Sequence, residues 1–472
     1  MLTLADIIEA LQGTRPAGDT PGITEAVVDS RHAIPGSLFV ATLGERTDGH
    51  LYVADAFKNG AHLALVHKDI DPSIAVVDLT TPLAEDYNFP ALPFALRVVD
   101  TEKALQAIAA FWRRRFNVRV IGITGSVGKS TTKELTAEIL GKRFRTLKNQ
   151  GNFNNEIGLP LTLLRLGPGY ECVVLEMGFY KPGDIDLLCQ IAQPQVGVLT
   201  NIGTVHASRA KSQEAIALGK SELVQALPAS PIGTAILNKD DPLVVPMQSL
   251  TKASIFFYGL DPSADLWADQ IESQGLEGIR FRIHFMDESF TLQAPLIGHH
   301  SIHTILRAIS VALVEGLTWG EIITGLHHSS SQLRLVVVQT RHGALLLDDT
   351  YNAAPESMLA ALNLLNELPG RKVAVLGGMN ELGPYELSGH QKVGMRAAEV
   401  ADELITYREN ARMIHDAARS AGFPTEHLSQ LETQEEVVAF LDHMLRAGDV
   451  VLVKGAHSLR MDDIVQALEV EE

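Results

Sequence analysis

The residues with the clearest chemical potential lie in "VRVIGITGSVGKSTTKELTAEIL", residues 118 to 140, where a strand runs into a glycine turn and a helix leaves it. Gly125 and Gly128 let the backbone N–H groups of Thr124, Gly125, Ser126, Val127 and Gly128 approach phosphate oxygens, and the following helix presents its positive end. Lys129 can reach β and γ phosphates, the Ser130 hydroxyl can ligate magnesium, and Thr131 continues the first helical turn. The common pattern G-x-x-x-x-G-K-[ST] is one residue shorter between its glycines than the five that separate Gly122 from Gly128. A glycine turn with a chance lysine is the plainer alternative, and the flanking strand and helix speak against it.

Further polar residues close apolar strands. Glu176 ends "CVVLEM", where a carboxylate is costly unless it meets a cation or faces a cleft, and magnesium is a natural partner. His206, three residues past Gly203, can be a further ligand or a plain polar contact. Lys220 falls on the apolar stripe of Ile216, Leu223, Val224 and Leu227, so it must be paired, neutralised, modified or snorkelled to the surface. Asn149, Gln150, Asn152, Asn154 and Asn155 beside Glu156 form a solvated loop, or else orient a polar substrate. "GHHSIH" brings His299, His300 and His303 together without carboxylate or cysteine companions, a weak metal pattern. Asp348 and Asp349 end another buried strand, as ligand-binding carboxylates or as helix caps.

Positioning these residues requires a parallel sheet. "VRVIGIT", "ECVVLEMG", "VGVLTNIG" and "GTAILN" are short apolar runs between helices, and ligands gather at the carboxyl ends of such strands. A more β-rich stretch covers roughly 253 to 297, a helix follows Gly298, and from about 336 a second α/β alternation of Rossmann-like type begins. At 472 residues the chain has room for about three domains of ~150 residues. The first boundary falls near 97, ahead of a helix from about Thr101 to Arg115.

With 46% hydrophobic and 20% charged residues the chain is an ordinary globular protein. Its 39 Lys plus Arg against 57 Asp plus Glu leave a net charge of −18, which disfavours a nucleic-acid partner. The basic run Arg113-Arg114-Arg115 reads as a solvated helix end. Cys172 and Cys189 show neither disulfide nor zinc spacing, so a reducing cytoplasm is expected. The N-terminus reads as an amphipathic helix rather than a signal peptide, and no apolar run reaches the ~20 residues of a membrane span.

Together these residues resemble the Mur ligases, ATP-dependent amide-forming enzymes of bacterial cell-wall precursor synthesis. The longer glycine spacing is theirs. "DSR" at 29, "GERTDGH" at 44, "TGSVGKS", "NFNNEIGLPLTLL", "LEMG", "TNIG", "DDTYNAAPESM", "LGGMNELG" and "VKGAHSLRMDDIV" carry the likeness in order along nearly the whole chain. The resemblance implies a three-domain α/β architecture: an N-terminal domain over 1–97 for the UDP-sugar substrate, a central P-loop ATPase with a parallel sheet over 98–333, and a C-terminal Rossmann-like domain over 334–472. It implies ATP and Mg2+ as cofactors. UDP-N-acetylmuramoyl-tripeptide and D-alanyl-D-alanine are the implied substrates, and a monomer the implied state.

Residue by residue, the resemblance assigns Ser30, Arg31 and Asp48 to the nucleotide sugar, with Asp29, Gly44 and Gly49 nearby. Lys129 would hold ATP phosphates, Ser130 and Glu176 one magnesium, and His206 with a carbamylated Lys220 a second. Asn154 and Asn155 would meet substrate, while Arg334, Asp349, Tyr351 and Asn352 match positions around the nucleotide and the incoming amine. Lys454, Gly455 and Arg460 match a further C-terminal motif. The chain departs from the family pattern at Ser208 (usually acidic), Ser301 and Thr304 (usually asparagines of an adenine-contacting motif), Ala354 (asparagine), Gly378 (aspartate) and His457 (arginine). An active dipeptide ligase is the leading expectation. The alternatives are a Mur-type ligase with another substrate, a catalytically weakened regulatory paralogue and a generic phosphate-loop ATPase.

Overall fold

The computed structural model describes residues 1–17, 20–44, 47–84, 87–204, 207–327 and 336–470. His206 and Arg334, both expected at the site, lie outside the described residues. The chain divides into two compact units: Met1–Gly122 with Phe144–Gly178 and Asp184–Gln195, and Ile123–Arg143 with Phe179–Gly183 and Val196–Glu472.

In the first unit, five short strands pair in parallel in the order Ala26–Val27, Leu38–Val40, Leu63–Val66, Phe94–Arg97, Val76–Asp78. The amino-terminal helix Leu4–Gln12 starts where Thr3 accepts from the Asp6 N–H and the Asp6 carboxylate accepts from the Thr3 N–H, and it stops at Gly13 in the left-handed conformation. Helix Thr101–Arg114 follows, capped by Asp100. Its end differs from the solvated run expected. Arg113 is buried, its guanidinium donates to the carbonyls of Ala192, Phe116, Val118 and Gln193, and burial lowers its pKa. Orphan carbonyls at chain turns draw the cation inward. The strand Cys172–Glu176 pairs in parallel with Thr146–Lys148 in the same unit.

The second unit carries the glycine turn, with helix Lys129–Leu140 behind it. Strands Val196–Leu199, Thr234–Asn238, Ser254–Gly259 and Leu266–Ser273 pair in parallel, and Ile279–Phe285 and Glu288–Ala294 extend them as an antiparallel meander. Helix Ser301–Val314 packs against helix Lys129–Leu140. Beyond it a six-stranded sheet runs Val336–Gln339, Leu345–Asp348, Val450–Lys454, Lys372–Gly377, Glu403–Tyr407, Leu428–Leu431, parallel except for the first pair. Alternation places Leu347, Ala374, Leu376, Leu404 and Leu452 in one apolar cluster and Leu346, Val373, Val375, Ile405, Val451 and Val453 in another. Helices Pro355–Glu367 and Glu386–Val400 cover the first face, Gln434–Met444 and Asp462–Leu468 the second. Burial on both faces is what makes these strands continuous apolar runs in the sequence.

Candidate active site

The glycine turn is clamped from the strand end at Thr200-Asn201. Asn201 accepts the Ser126 N–H on its carbonyl and the Val127 N–H on Oδ1, both at 2.9 Å. Ser126 Oγ accepts the Gly203 N–H at 2.8 Å, and Asp241 accepts the Ile202 N–H at 2.8 Å. A side chain at Gly125, whose φ is +146°, would drive its Cβ into the Thr200 side chain, 2.8 Å from Thr200 Cβ. Asn201 was legible in the sequence only as part of a strand end. Its bonding of two consecutive turn amides holds the turn in register for a ligand.

Lys129 folds back on the turn, Nζ donating to the carbonyls of Gly125 at 3.0 Å and Ser126 at 3.2 Å. Ser130 is buried one residue further on. Lys220 lies on helix Gln213–Gln225 and is 1% exposed, so the snorkelling alternative fails. Its Nζ donates to the Gly125 carbonyl at 2.7 Å and sits 4.9 Å from the Phe179 ring centroid. Two lysines thus converge on one carbonyl of the turn.

Glu176 is buried in the first unit. Its backbone is held on both sides by Asn149, whose Oδ1 accepts the Glu176 N–H at 2.9 Å and whose Nδ2 donates to the Glu176 carbonyl at 3.0 Å. Asn154 Nδ2 donates to Glu176 Oε1 at 3.0 Å, and Asn155 Oδ1 accepts the Gly158 N–H at the start of helix Gly158–Leu163. Asn149 is neither a solvated loop residue nor placed to orient a substrate: it is fully buried and fixes Glu176. The first unit also holds Ser30, buried in a short helical turn, Arg31, and Asp48. Arg31 pairs with Asp29 at 2.6 Å and holds its carboxyl down at about 2. Asp48 binds Lys68 at 2.7 Å and His50 at 2.6 Å, and both keep its pKa well below the ordinary carboxylate range.

In the C-terminal part Lys454, 1% exposed, pairs with Asp349 at 2.7 Å and donates to the Asn352 carbonyl at 2.8 Å. Asp349 is therefore an ion-pair partner rather than a cap. Asp348 binds Thr350 through its N–H and hydroxyl, and helix Pro355–Glu367 begins with Ser357 accepting the Ala354 N–H. Tyr351 and Asn352 are exposed beside a cavity of about 420 Å³ lined by Asn352, Asn380, Glu381, His457 and Ser458. Tyr351 and His457 rings lie 5.9 Å apart.

Two histidines of "GHHSIH", His299 and His303, do have carboxylate companions, each pairing with a different one from a distant segment. His299 pairs with Glu367 at 2.8 Å, which raises its pKa, and His303 pairs with Asp240 at 2.8 Å. Burial lowers the pKa of His300. Among the described residues no group of three or more His, Cys, Asp or Glu forms a metal cluster.

Three family models match in chain order: "Mur ligase family, catalytic domain" over residues 23–113, "Mur ligase middle domain" over 123–312, and "Mur ligase, glutamate ligase domain" over 333–457. The chain is also 36% identical to the UDP-N-acetylmuramoyl-tripeptide–D-alanyl-D-alanine ligase of a Synechocystis species, over 95% of this chain and 92% of that protein. The chain belongs to the Mur ligase family. Among solved structures, MurF from Acinetobacter baumannii superposes with a TM-score of 0.83 at 30% identity, covering 98% of both chains. The MurF ligase of Thermotoga maritima in complex with ADP superposes at 0.79 with 27% identity, covering 94% of this chain and 96% of that one. As a Mur ligase the chain has the three-domain α/β architecture expected, with a P-loop domain at its centre. Among the described residues no helix is long and apolar enough to cross a membrane.

Proposed function

We propose that this Mur ligase joins D-alanyl-D-alanine to UDP-N-acetylmuramoyl-tripeptide, converting ATP to ADP and phosphate through an acyl phosphate. What carries the reading is end-to-end similarity to ligases bearing that activity in their names, at 36% identity over 95% of the chain in one case. A bare carboxylate is a poor electrophile at neutral pH. Transfer of the γ-phosphoryl group to it creates a leaving group, and the dipeptide amine then attacks the carbonyl carbon, passing through a tetrahedral intermediate and expelling phosphate.

The chain's residues divide this work. The turn Thr124–Gly128 and the first helical residues Lys129, Ser130 and Thr131 would cradle the nucleotide phosphates, with Lys129 swinging off the Gly125 and Ser126 carbonyls to meet them. Ser30, Arg31 and Asp48 would bind the nucleotide sugar, Asn154 and Asn155 the peptide arm, and Tyr351 and Asn352 the incoming amine, Asn352 from the lining of the cavity. Asp349 and Arg334 would contact the ATP nucleoside. Most of the rate would come from position and charge.

The family resemblance assigns Ser130 and Glu176 to one Mg2+, and each offers an oxygen donor of the kind a hard cation takes. Bound there, Mg2+ would offset the charge gathering on the transferred phosphoryl group. His206 and Lys220 would serve a second ion, the Lys220 amine adding to carbon dioxide with loss of a proton to give a carbamate. Burial penalises either charged form of Lys220, so a carbamate there would need the metal ion as its partner.

Phosphate release from ATP tests the reading. It requires both UDP-N-acetylmuramoyl-tripeptide and D-alanyl-D-alanine. Release with neither present would indicate an ATPase switch, and silence with both a regulatory protein.

A further inference from the structure

Arg307 is a buried cation beside the glycine turn, and among the described residues no carboxylate is paired with it. It lies on helix Ser301–Val314, is 5% exposed, and its Nη2 stands 2.8 Å from where a Cβ on Gly128 would be. Gly128 is the N-cap of helix Lys129–Leu140, the end at which backbone N–H groups already concentrate positive charge.

Its bonded neighbours are neutral, and the carboxylates near Tyr258, Asp240 and Asp241, are engaged by His303 and the Ile202 N–H. Nη2 donates to Thr304 Oγ1 at 2.7 Å, while Nε is buried with no hydrogen-bond partner. The guanidinium lies 5.9 Å from the Tyr258 ring centroid. Tyr258 is enclosed, its hydroxyl donates to the Leu199 and Thr200 carbonyls, and burial pushes its pKa up to about 12, so it supplies no counter-charge. Among the described residues no carboxylate pairs with Arg307.

A desolvated guanidinium against a helix N-terminus, with an unused donor, is unfavourable until an anion arrives. The turn beside it is the place for polyphosphate. We infer that Arg307 binds the phosphate chain of the nucleotide, as a second cation alongside Lys129. Thr304, where the family motif has asparagine, anchors the guanidinium in place through its hydroxyl. The inference rests on the reading of the turn as a nucleotide site.

The test is equilibrium binding to the full chain in the presence of magnesium, with ATP titrated directly and inorganic tripolyphosphate measured by its displacement of ATP. Arg307→Met is expected to weaken both ligands by a similar factor, roughly ten- to a hundredfold, the range for loss of a charge-assisted hydrogen bond. Thermal melting without nucleotide should show no loss of stability, since an uncompensated cation has been removed. Should Arg307→Met not fold, Arg307→Gln, which drops the charge and keeps donors, carries the same comparison. Unchanged tripolyphosphate affinity, or a loss confined to ATP, would overturn the inference, as would wild-type protein that binds ATP but is not displaced by tripolyphosphate. Wild-type protein that binds neither ligand would overturn the nucleotide reading as well.

Discussion

Lys454 Nζ lies 2.7 Å from Asp349 Oδ2 at the carboxyl ends of two adjacent parallel strands, the lysine 1% and the carboxylate 19% exposed. Removing one partner leaves the other charge desolvated and alone. Lys454→Met is therefore expected to cost about 3 kcal/mol of unfolding free energy, the lower end for a broken buried pair because Asp349 retains some water contact. The double variant Lys454→Met with Asp349→Asn should be more stable than Lys454→Met alone. Urea denaturation of the four proteins in a double-mutant cycle checks both statements, and independent, additive effects would contradict the pairing.

Gly125 sits where the backbone φ of +146° and the neighbouring Thr200 side chain both exclude a Cβ. Gly125→Ala must move the turn, and with it the two amides held by Asn201 and the carbonyl shared by Lys129 and Lys220. Displacement on the order of 1 Å in a positioning element can cost roughly a hundredfold in rate. Phosphate release should fall by about that factor, with kcat affected at saturating ATP.

What the sequence disclosed follows from what leaves a local pattern. The strand, glycine turn and helix around Lys129 were legible from spacing, and so was the place of Lys220 on the stripe of Ile216 and Leu223, but periodicity left burial and snorkelling equally open. Arg113 was misjudged because its carbonyl partners, Ala192 and Gln193, are remote in sequence. The same holds for Asn149, whose role depends on meeting Glu176, and for His299 and His303, whose carboxylates come from Glu367 and Asp240. Arg307 carried no sequence signal at all: an arginine in a helix acquires meaning only when Gly128 and Tyr258 are brought beside it. Local periodicity reports elements and faces. Long-range pairing decides whether a polar residue is a solvated accessory or part of the site.

Gly378 stands where the family commonly has aspartate, and Asn410 explains the difference. A Cβ at 378 would come 2.6 Å from Asn410 Cβ and 2.9 Å from its backbone carbonyl. Restoring the family residue with Gly378→Asp is thus expected to destabilise this chain by about 1–3 kcal/mol, as for other overpacked sites. Asn410→Gly in the same protein should recover part of the loss by removing the nearer contact. Thermal unfolding of the two variants decides the matter; a Gly378→Asp protein as stable as wild type would show that the strand end can yield.

His390 is fully buried behind Met379, the residue that precedes cavity-lining Asn380. Its Nε2 accepts the Met379 N–H at 3.0 Å and its Nδ1–H donates to the Glu386 carbonyl at 2.7 Å, an arrangement that only neutral imidazole can make. Burial lowers the His390 pKa, outweighing the opposing effects of the Glu386 carbonyl and carboxylate. The unfolded chain, with an ordinary histidine pKa of about 6.5, then binds more protons than the folded one as pH falls through that value. The stabilisation is complete above about pH 6.5 and is lost as pH drops below it toward the lower folded-state value. Wild-type melting temperature should fall between pH 7.5 and 5.5 by more than that of His390→Gln, which offers an acceptor and does not titrate. His390→Ala should lose about 1–3 kcal/mol at pH 7.5 by orphaning the Met379 N–H. Equal pH dependence in wild type and His390→Gln would place the acid sensitivity elsewhere.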